Sequence, residues 1–336
     1  MNSTSTQIVV VGACNVDLIA YVNRIPKPGE TVHGSKYETG FGGKGANQCV
    51  AAAKLLPENS CSMVGAVGND SHGKGFLAEF ERLSIDTQNV QVLDSFTTGV
   101  APITVDESTG ENAIVVVGGA NNEFDLTEKS INMLKSAKIS LFQNEIKLAT
   151  TKHAIKTAYD NGSMTIFNPS PIDNVELDIL RSGVKCLVLN EHEMEHLANK
   201  VKANISTSVA WEKHLEKITQ DKNSQNSRPF DLFCEVDCLE IIVCTFGSKG
   251  AQVQLRSGEK KMVEIERKVE RVVDTTGAGD CFLGAFAAAW IDRLEGKMAS
   301  FDDLCDFVRK ANNAASISVE NKGTQSSYPT KSIKDF

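Results

Sequence analysis

No Lys/Arg-rich block interrupts the 336 residues, which carry a net charge of −8 and a pI near 5.4. A nucleic-acid partner is not expected, because such binding needs clustered positive charge. Long hydrophobic runs are also missing. The longest, residues 281–291, is too short to cross a bilayer, so no membrane partner is expected. Residues 1–7 lack the basic and apolar regions of a secretory signal. The nine cysteines follow no paired metal-ligand spacing, even in the tightest group of Cys234, Cys238 and Cys244. Without an export signal they read as reduced, mostly buried thiols of a cytoplasmic protein, with the nucleus also open to it. Proline numbers only 8, and 41% hydrophobic against 23% charged residues excludes a disordered chain and supplies a large core.

What is present alternates. Residues 8–13 (IVVVGA) are uniformly apolar, as in a strand buried on both faces of a parallel sheet, and Asn15 and Asp17 leave it with side chains on one side. Further strands are expected at 61–68, 139–143, 164–168, 185–189 and 239–245, with helices at 44–56, 71–83, 126–137, 149–159 and 301–320. Polar or glycine residues follow each of the later strands, including Asn144-Glu145, Asn190-Glu191 and Phe246-Gly247. This pattern predicts a doubly wound, mostly parallel central sheet with helices on both faces, binding ligands along one sheet edge. Residues 32–41, 99–105 and 113–118, with the segment around Tyr21, predict a small separate β-sheet outside that alternation. No internal repeat is visible, and a polar stretch at 220–228 reads as a surface insertion.

The stretch Val272-Val273-Asp274-Thr275-Thr276-Gly277-Ala278-Gly279-Asp280 carries the strongest chemistry. Val272 and Val273 read as the end of a strand, and residues 281–291 as an apolar helix. Between them a small-residue turn opens the helix. Free N–H groups at a helix start attract anions, and Asp280 in the first turn can take a proton from an attacking hydroxyl. A capped turn is the plainer reading of the same residues. A second glycine run, Gly42-Gly43-Lys44-Gly45-Ala46-Asn47-Gln48, is no P-loop: the hydroxyl after the lysine and the glycine six before it are both absent. Lys44 and Asn47, three apart on a first helical turn, would face one ligand.

A competing motif is His192-Glu193-Met194-Glu195-His196, which fits H-E-x-x-H, with Glu216 as a third zinc ligand and Glu193 as general base. The same helix start also reads Asn190-x-x-Glu193, which suits a phosphate and Mg²⁺ site.

Taken in order, Gly40-Phe41-Gly42-Gly43-Lys44-Gly45-Ala46-Asn47-Gln48, Asn168-Pro169-Ser170-Pro171, Asn190-x-x-Glu193, Thr245-Phe246-Gly247-Ser248-Lys249-Gly250 and the Asp274–Asp280 run resemble the ribokinase-like (phosphofructokinase-B type) carbohydrate kinases. The resemblance covers residues 8–329 and implies one kinase domain over 1–336, with a lid sheet inserted from about 15–42 and 97–119. It implies ATP-dependent phosphorylation of a sugar's terminal hydroxyl, here D-ribose at O5, giving ribose 5-phosphate and ADP.

By the same resemblance, Asn15, Asp17, Gly43, Lys44, Asn47 and Glu145 hold the sugar, with Ala101 and Ile103 as an apolar wall. Asp280 is the base, and the backbone of residues 276–279, with Gly277, Ala278 and Gly279, forms the anion hole. Asn190, Thr245, Gly247, Gly250, Gly279 and Asn312 border the nucleotide, and Glu193 serves Mg²⁺ indirectly. Asp274, Thr276, Ser318, Asn321, Gly323 and Ser327 match a monovalent cation site, usually for K⁺, and the lid would pair with a second subunit's lid in a homodimer. Cys281, next to the base, reads as a buried neutral thiol rather than a reactive one. Another sugar or a nucleoside as substrate stays open, as do a catalytically silent sugar sensor and, more remotely, the zinc hydrolase of His192, Glu193 and His196.

Overall fold

In the computed structural model, residues 7–205, 228–293 and 299–331 are described; the 220–228 insertion, apart from Arg228, and Glu216 lie outside them. The apolar segments form strands β1 (Ile8–Val11), β4 (Cys61–Gly68), β8 (Ile139–Phe142), β9 (Met164–Phe167), β10 (Cys186–Asn190) and β11 (Ile241–Thr245). These join β5 (Asp86–Leu93), β12 (Ala251–Leu255) and β13 (Lys260–Val263) in a nine-stranded sheet of order β13-β12-β11-β10-β9-β8-β1-β4-β5. All neighbours are parallel except at one edge, where β12 pairs antiparallel with β11 and β13 with β12. The chain order reverses between β1 and β8, which leaves a crevice at their carboxyl ends, where open α/β sheets bind ligands.

Two apolar layers cover the sheet. One contains α1 (Lys44–Leu55), α2 (Ser71–Arg82), α8 (Ala278–Arg293) and α9 (Phe301–Ser318). The other contains α3 (Glu128–Ser136), α4 (Leu148–Asp160), α5 (Leu177–Leu180), α6 (Glu191–Ile205) and α7 (Arg228–Glu235). Helix α8 has no polar stripe: every residue from Asp280 to Ile291 is buried, between α1 and α9. Its Phe282, Phe286 and Trp290 run into Phe307 of α9 through ring contacts of 6.3, 5.4 and 5.9 Å. Each such ring contributes about 1.5–3 kcal/mol by leaving water, so this helix is anchored firmly.

A second, smaller sheet of order β3-β2-β6-β7, in the place of the expected lid, is made from β2 (Asn15–Val22), β3 (Gly34–Gly42), β6 (Gly99–Asp106) and β7 (Asn112–Ile114). Asp70 joins it to the main body. Its carboxylate accepts from Gly73 N (2.8 Å), capping α2, and from Thr98 N (2.8 Å) and Oγ1 (2.7 Å) at the foot of β6.

Three expectations from sequence are corrected. Val272 and Val273 are not strand residues; they are 59% and 49% exposed, and the amides of Val273 and Asp274 bond Val319 O at the end of α9. The lid strand expected at 113–118 stops at Ile114, apart from a bridge between Val117 and Val100. Opposite lies Pro102, whose carbonyl accepts from Val115 N but which has no N–H to return, so the ladder breaks there. Finally, β5, β12 and β13 have no counterpart in the expected pattern: β5 and β13 are the two edge strands, where one unpaired side permits polar residues and blurs the apolar signal, and β12, paired on both sides, carries Gln252 and Gln254 between its apolar residues.

Candidate active site

The glycine run at residues 42–45 is close-packed against the turn between β1 and β2. Gly43 has φ +84°, and a Cβ there would stand 2.7 Å from both Ala13 O and Asn15 N. Only glycine allows the start of α1 to be laid on that turn. Glu145, just past β8, then accepts from Lys44 N at 2.8 Å, placing a carboxylate at the positive end of α1. Opposite, Asn121 grips the β1–β2 turn. Its Oδ1 accepts from Cys14 N (2.9 Å), and its Nδ2 donates to Cys14 O (3.0 Å) and Asn15 Oδ1 (2.8 Å).

Asp17, Lys44, Glu145 and Asp280 converge there. Burial, with Glu145 and Asp280 nearby, raises the Asp17 carboxyl to about 6. Burial also raises Glu145, and the charge and amide of Lys44 only partly offset it. For Lys44, burial alone would lower the ammonium; Asp280, Glu145 and Glu193 outweigh it, and the net shift is upward. A cationic lysine among carboxylates that resist ionisation makes a pocket suited to a neutral polyol, whose hydroxyls both donate and accept.

Asp280 lies in the first turn of α8. Asn47 Nδ2 donates to its Oδ2 (3.0 Å) and Gln48 Nε2 to its Oδ1 (2.9 Å). The expected anion hole divides. Thr276 N is engaged by Asp274 Oδ1 (2.9 Å) and Ala278 N by Thr275 O (3.2 Å), whereas the amides of Gly277 and Gly279 make no backbone bond. Those two are the donors left for an anion. Gly277 has φ +72°, and a Cβ there would lie 2.6 Å from the Tyr328 hydroxyl, which donates to Gly277 O at 3.1 Å.

Thr245, Gly247, Gly250, Gly279 and Asn312 all line one cavity of about 490 Å³ beside the N-terminus of α8. Asn312 holds its wall by donating to Val263 O (3.0 Å). A smaller space of about 170 Å³, bordered by Lys44, Asn190, Glu193, Thr245, Gly279 and Asp280, continues it toward the sugar end. The two share Thr245, Gly279 and Phe282, so the two spaces meet at the Gly277–Asp280 turn.

Asn190 and Glu193 form a reciprocal cap on α6, with Asn190 N donating to Glu193 Oε2 (2.9 Å) and Glu193 N to Asn190 Oδ1 (2.8 Å). This geometry disfavours the zinc motif. His192 is exposed while Glu193 is buried, and among the described residues no group of three His, Cys, Asp or Glu side chains could hold a metal. Of the cation candidates, Asp274, Thr276 and Gly323 come together: Asp274 also accepts from Gly323 N at 3.0 Å. Ser318, Asn321 and Ser327 direct their side chains to the carbonyls of Ala315, Ile317 and Thr324. Ala101 pairs with Asp17 and Ile103 with Ile19 between β2 and β6. Cys281 is buried, and burial pushes its thiol up to about 12, which keeps it neutral. Sequence reasoning gave no role to Gln48, Gln143, Asn121, Gln325 or Tyr328. Gln48 lay inside a quoted motif, and nothing in sequence marks the others.

The model for "pfkB family carbohydrate kinase" matches residues 5–225 and 234–331. The ribokinase of Mus musculus is 35% identical, over 96% of this chain and 92% of its own length. A deoxyribokinase of Salmonella typhi is 34% identical, over 98% of this chain and 97% of its own. Among solved structures, Arabidopsis thaliana ribokinase complexed with ribose and ATP superposes with a TM-score of 0.80 at 29% identity, covering 98% of this chain and 97% of that one. The fold, the meeting of the two cavities and these likenesses agree: the chain belongs to the pfkB family of carbohydrate kinases.

Proposed function

We propose that the protein transfers the γ-phosphoryl group of ATP to O5 of D-ribose, giving ribose 5-phosphate and ADP. The observation that carries this reading is the continuity of the apolar nucleotide-side cavity with the carboxylate-rich pocket at one helix N-terminus, where Asp280 stands. Asp280 accepts the O5 proton as the new oxygen–phosphorus bond forms and the bond to the ADP oxygen breaks. The Gly277 and Gly279 amides face the charge that develops on the transferring group. Asp17, Asn15, Asn47 and Glu145, with Lys44, hold the remaining hydroxyls. Asn190, Thr245, Gly247, Gly250 and Asn312 border the nucleotide.

The donor set around the small cavity fits Mg²⁺ held mainly by phosphates and water: Glu193 already accepts from Asn190 N, and Mg²⁺ binds few carboxylates in such sites. When bound, it neutralises phosphate charge. The Asp274 loop fits K⁺. Burial there opposes ionisation, but the Thr276 and Gly323 amides outweigh it and hold the carboxyl below its usual range, ionised beside a turn of backbone oxygens. A homodimer through the lid is supported by Tyr37, Ile114, Val115 and Val116, which leave apolar side chains 53–63% exposed on the lid strands and the β7 exit. The buried thiols of Cys14, Cys49, Cys61, Cys186, Cys244, Cys281 and Cys305 suit a reducing, cytoplasmic setting.

The test is a panel of D-ribose, 2-deoxyribose, hexoses and nucleosides with MgATP, run in K⁺ and in Na⁺. D-Ribose in K⁺ should give the highest kcat/KM. Preference for 2-deoxyribose or a nucleoside would replace the substrate, and equal rates in the two salts would remove the cation.

A further inference from the structure

Asp280 sits at the junction of two arms of side-chain amides, drawn from three separate segments of chain. Along one arm, Gln143 Nε2 at the end of β8 donates to Gln48 Oε1 (2.7 Å), and Gln48 Nε2 on α1 donates to Asp280 Oδ1 (2.9 Å). Along the other, Gln325 Nε2 in the C-terminal turn donates to Asn47 Oδ1 (3.0 Å), and Asn47 Nδ2 donates to Asp280 Oδ2 (3.0 Å). Gln48 and Gln143 are completely buried, and Asn47, Gln325 and Asp280 are 6–7% exposed. Room for Gln143 comes from Gly12, where a Cβ would lie 2.1 Å from Gln143 Oε1.

The direction of each arm follows from chemistry. An ionised carboxylate only accepts hydrogen bonds, so Gln48 must turn its NH₂ toward Asp280 and its oxygen toward Gln143. Gln143 must then present its own NH₂. The same logic orients Asn47 and Gln325. Each arm ends on an amide oxygen, Gln143 Oε1 or Gln325 Oε1, that is buried without a protein partner. Every donor in the network therefore runs inward, toward one carboxylate.

We propose that Gln48 and Gln143 are positioning residues for phosphoryl transfer: a one-way relay of amide donors that fixes the plane of the Asp280 carboxylate, so that one lone pair faces the attacking hydroxyl. The inference rests on Asp280 being the base. Neither glutamine lines the 490 Å³ cavity, the 170 Å³ space beside Lys44 and Asp280, or the cavity that Asp17 lines, so the relay acts through the base. Because Gln143 reaches Asp280 only through Gln48, the two act in series.

Steady-state kinetics with D-ribose and MgATP tests this on Gln48→Met, Gln143→Met, the double variant and Gln48→Glu. In Gln48→Met, kcat should fall about 10- to 100-fold, the scale of a misplaced catalytic group. Both KM values should stay within about twofold. Gln143→Met should show a smaller fall of the same kind, and the double variant should be no slower than Gln48→Met alone, the mark of a shared path. Gln48→Glu, although closest in shape, should be slower than Gln48→Met, because it sets acceptor against acceptor.

Unchanged kcat in a natively folded Gln48→Met, losses that multiply in the double variant, or a loss carried by KM would each overturn the relay. Should the Gln48 variants not fold, Gln143→Met decides through the same split between kcat and KM. Asp280→Asn is assayed alongside. Near-normal turnover there removes the base itself, whereas an inactive Asp280→Asn beside unaffected glutamine variants removes only the relay.

Discussion

At what the proposed function makes the sugar end of the cleft, Asp17, Lys44, Glu145 and Asp280 crowd together, held by amides from distant parts of the chain. At the nucleotide end the cavity wall is mostly small or apolar, with Val269, Val272, Ala278, Phe282, Ala315 and Val319 along it and Asn312 behind. A polar pocket discriminates strongly, because a ligand lacking one hydroxyl leaves buried groups unpaired; an apolar slot gains area from any flat ring and discriminates less. On the proposed function, the choice of substrate is thus concentrated at one end and much of the contact area at the other.

The hardest break in that comparison is Asp280→Asn, which keeps shape and removes the base. Turnover should fall about 10²- to 10⁴-fold, with sugar affinity little changed by calorimetry. Next, Asp17→Asn should weaken D-ribose binding by about 10- to 100-fold, the worth of a charged hydrogen bond, while KM for ATP stays level in the same titration.

The pH dependence sharpens the contrast further. Burial, then Glu145 and Asp280, lift Asp17 to about 6, so KM for D-ribose should climb as pH falls through that value while KM for ATP does not follow it. The sign reverses for stability. A carboxyl raised above its unfolded value of 3.8 stabilises the fold below that value, and the contribution is lost as pH rises through about 6. Without ligand, Asp17→Asn should therefore raise the thermal midpoint above pH 6 relative to the native chain, measured by calorimetry. The smallest effect is expected at the nucleotide end. Asn312→Ala removes the bond to Val263 O and should raise KM for ATP only about fivefold, near 1 kcal/mol.

Sequence revealed the parts of this site that are local. The Gly277–Asp280 turn and the helix after it announce themselves through glycines followed by an apolar run, and Asn15 and Asp17 through their place at the end of a buried strand. What stayed hidden is written between segments: Gln143 and Gln48 are 95 residues apart, and Asn121 and Cys14 are 107 apart. A buried glutamine and a surface glutamine look alike in a chain. Val272 and Val273 misled for the converse reason, since two β-branched residues suggest a strand but no neighbouring strand exists to pair with them.

Helix α8 is enclosed on all sides, with its rings continued into Phe307 of α9. An element so placed exchanges its amide hydrogens only when the whole domain opens, whereas the lid, with its apolar residues in solvent, belongs to the low-stability end. On the proposed mechanism the proton acceptor thus rides on a helix enclosed by the core, and the travel that admits and releases ligands is expected of the exposed second sheet.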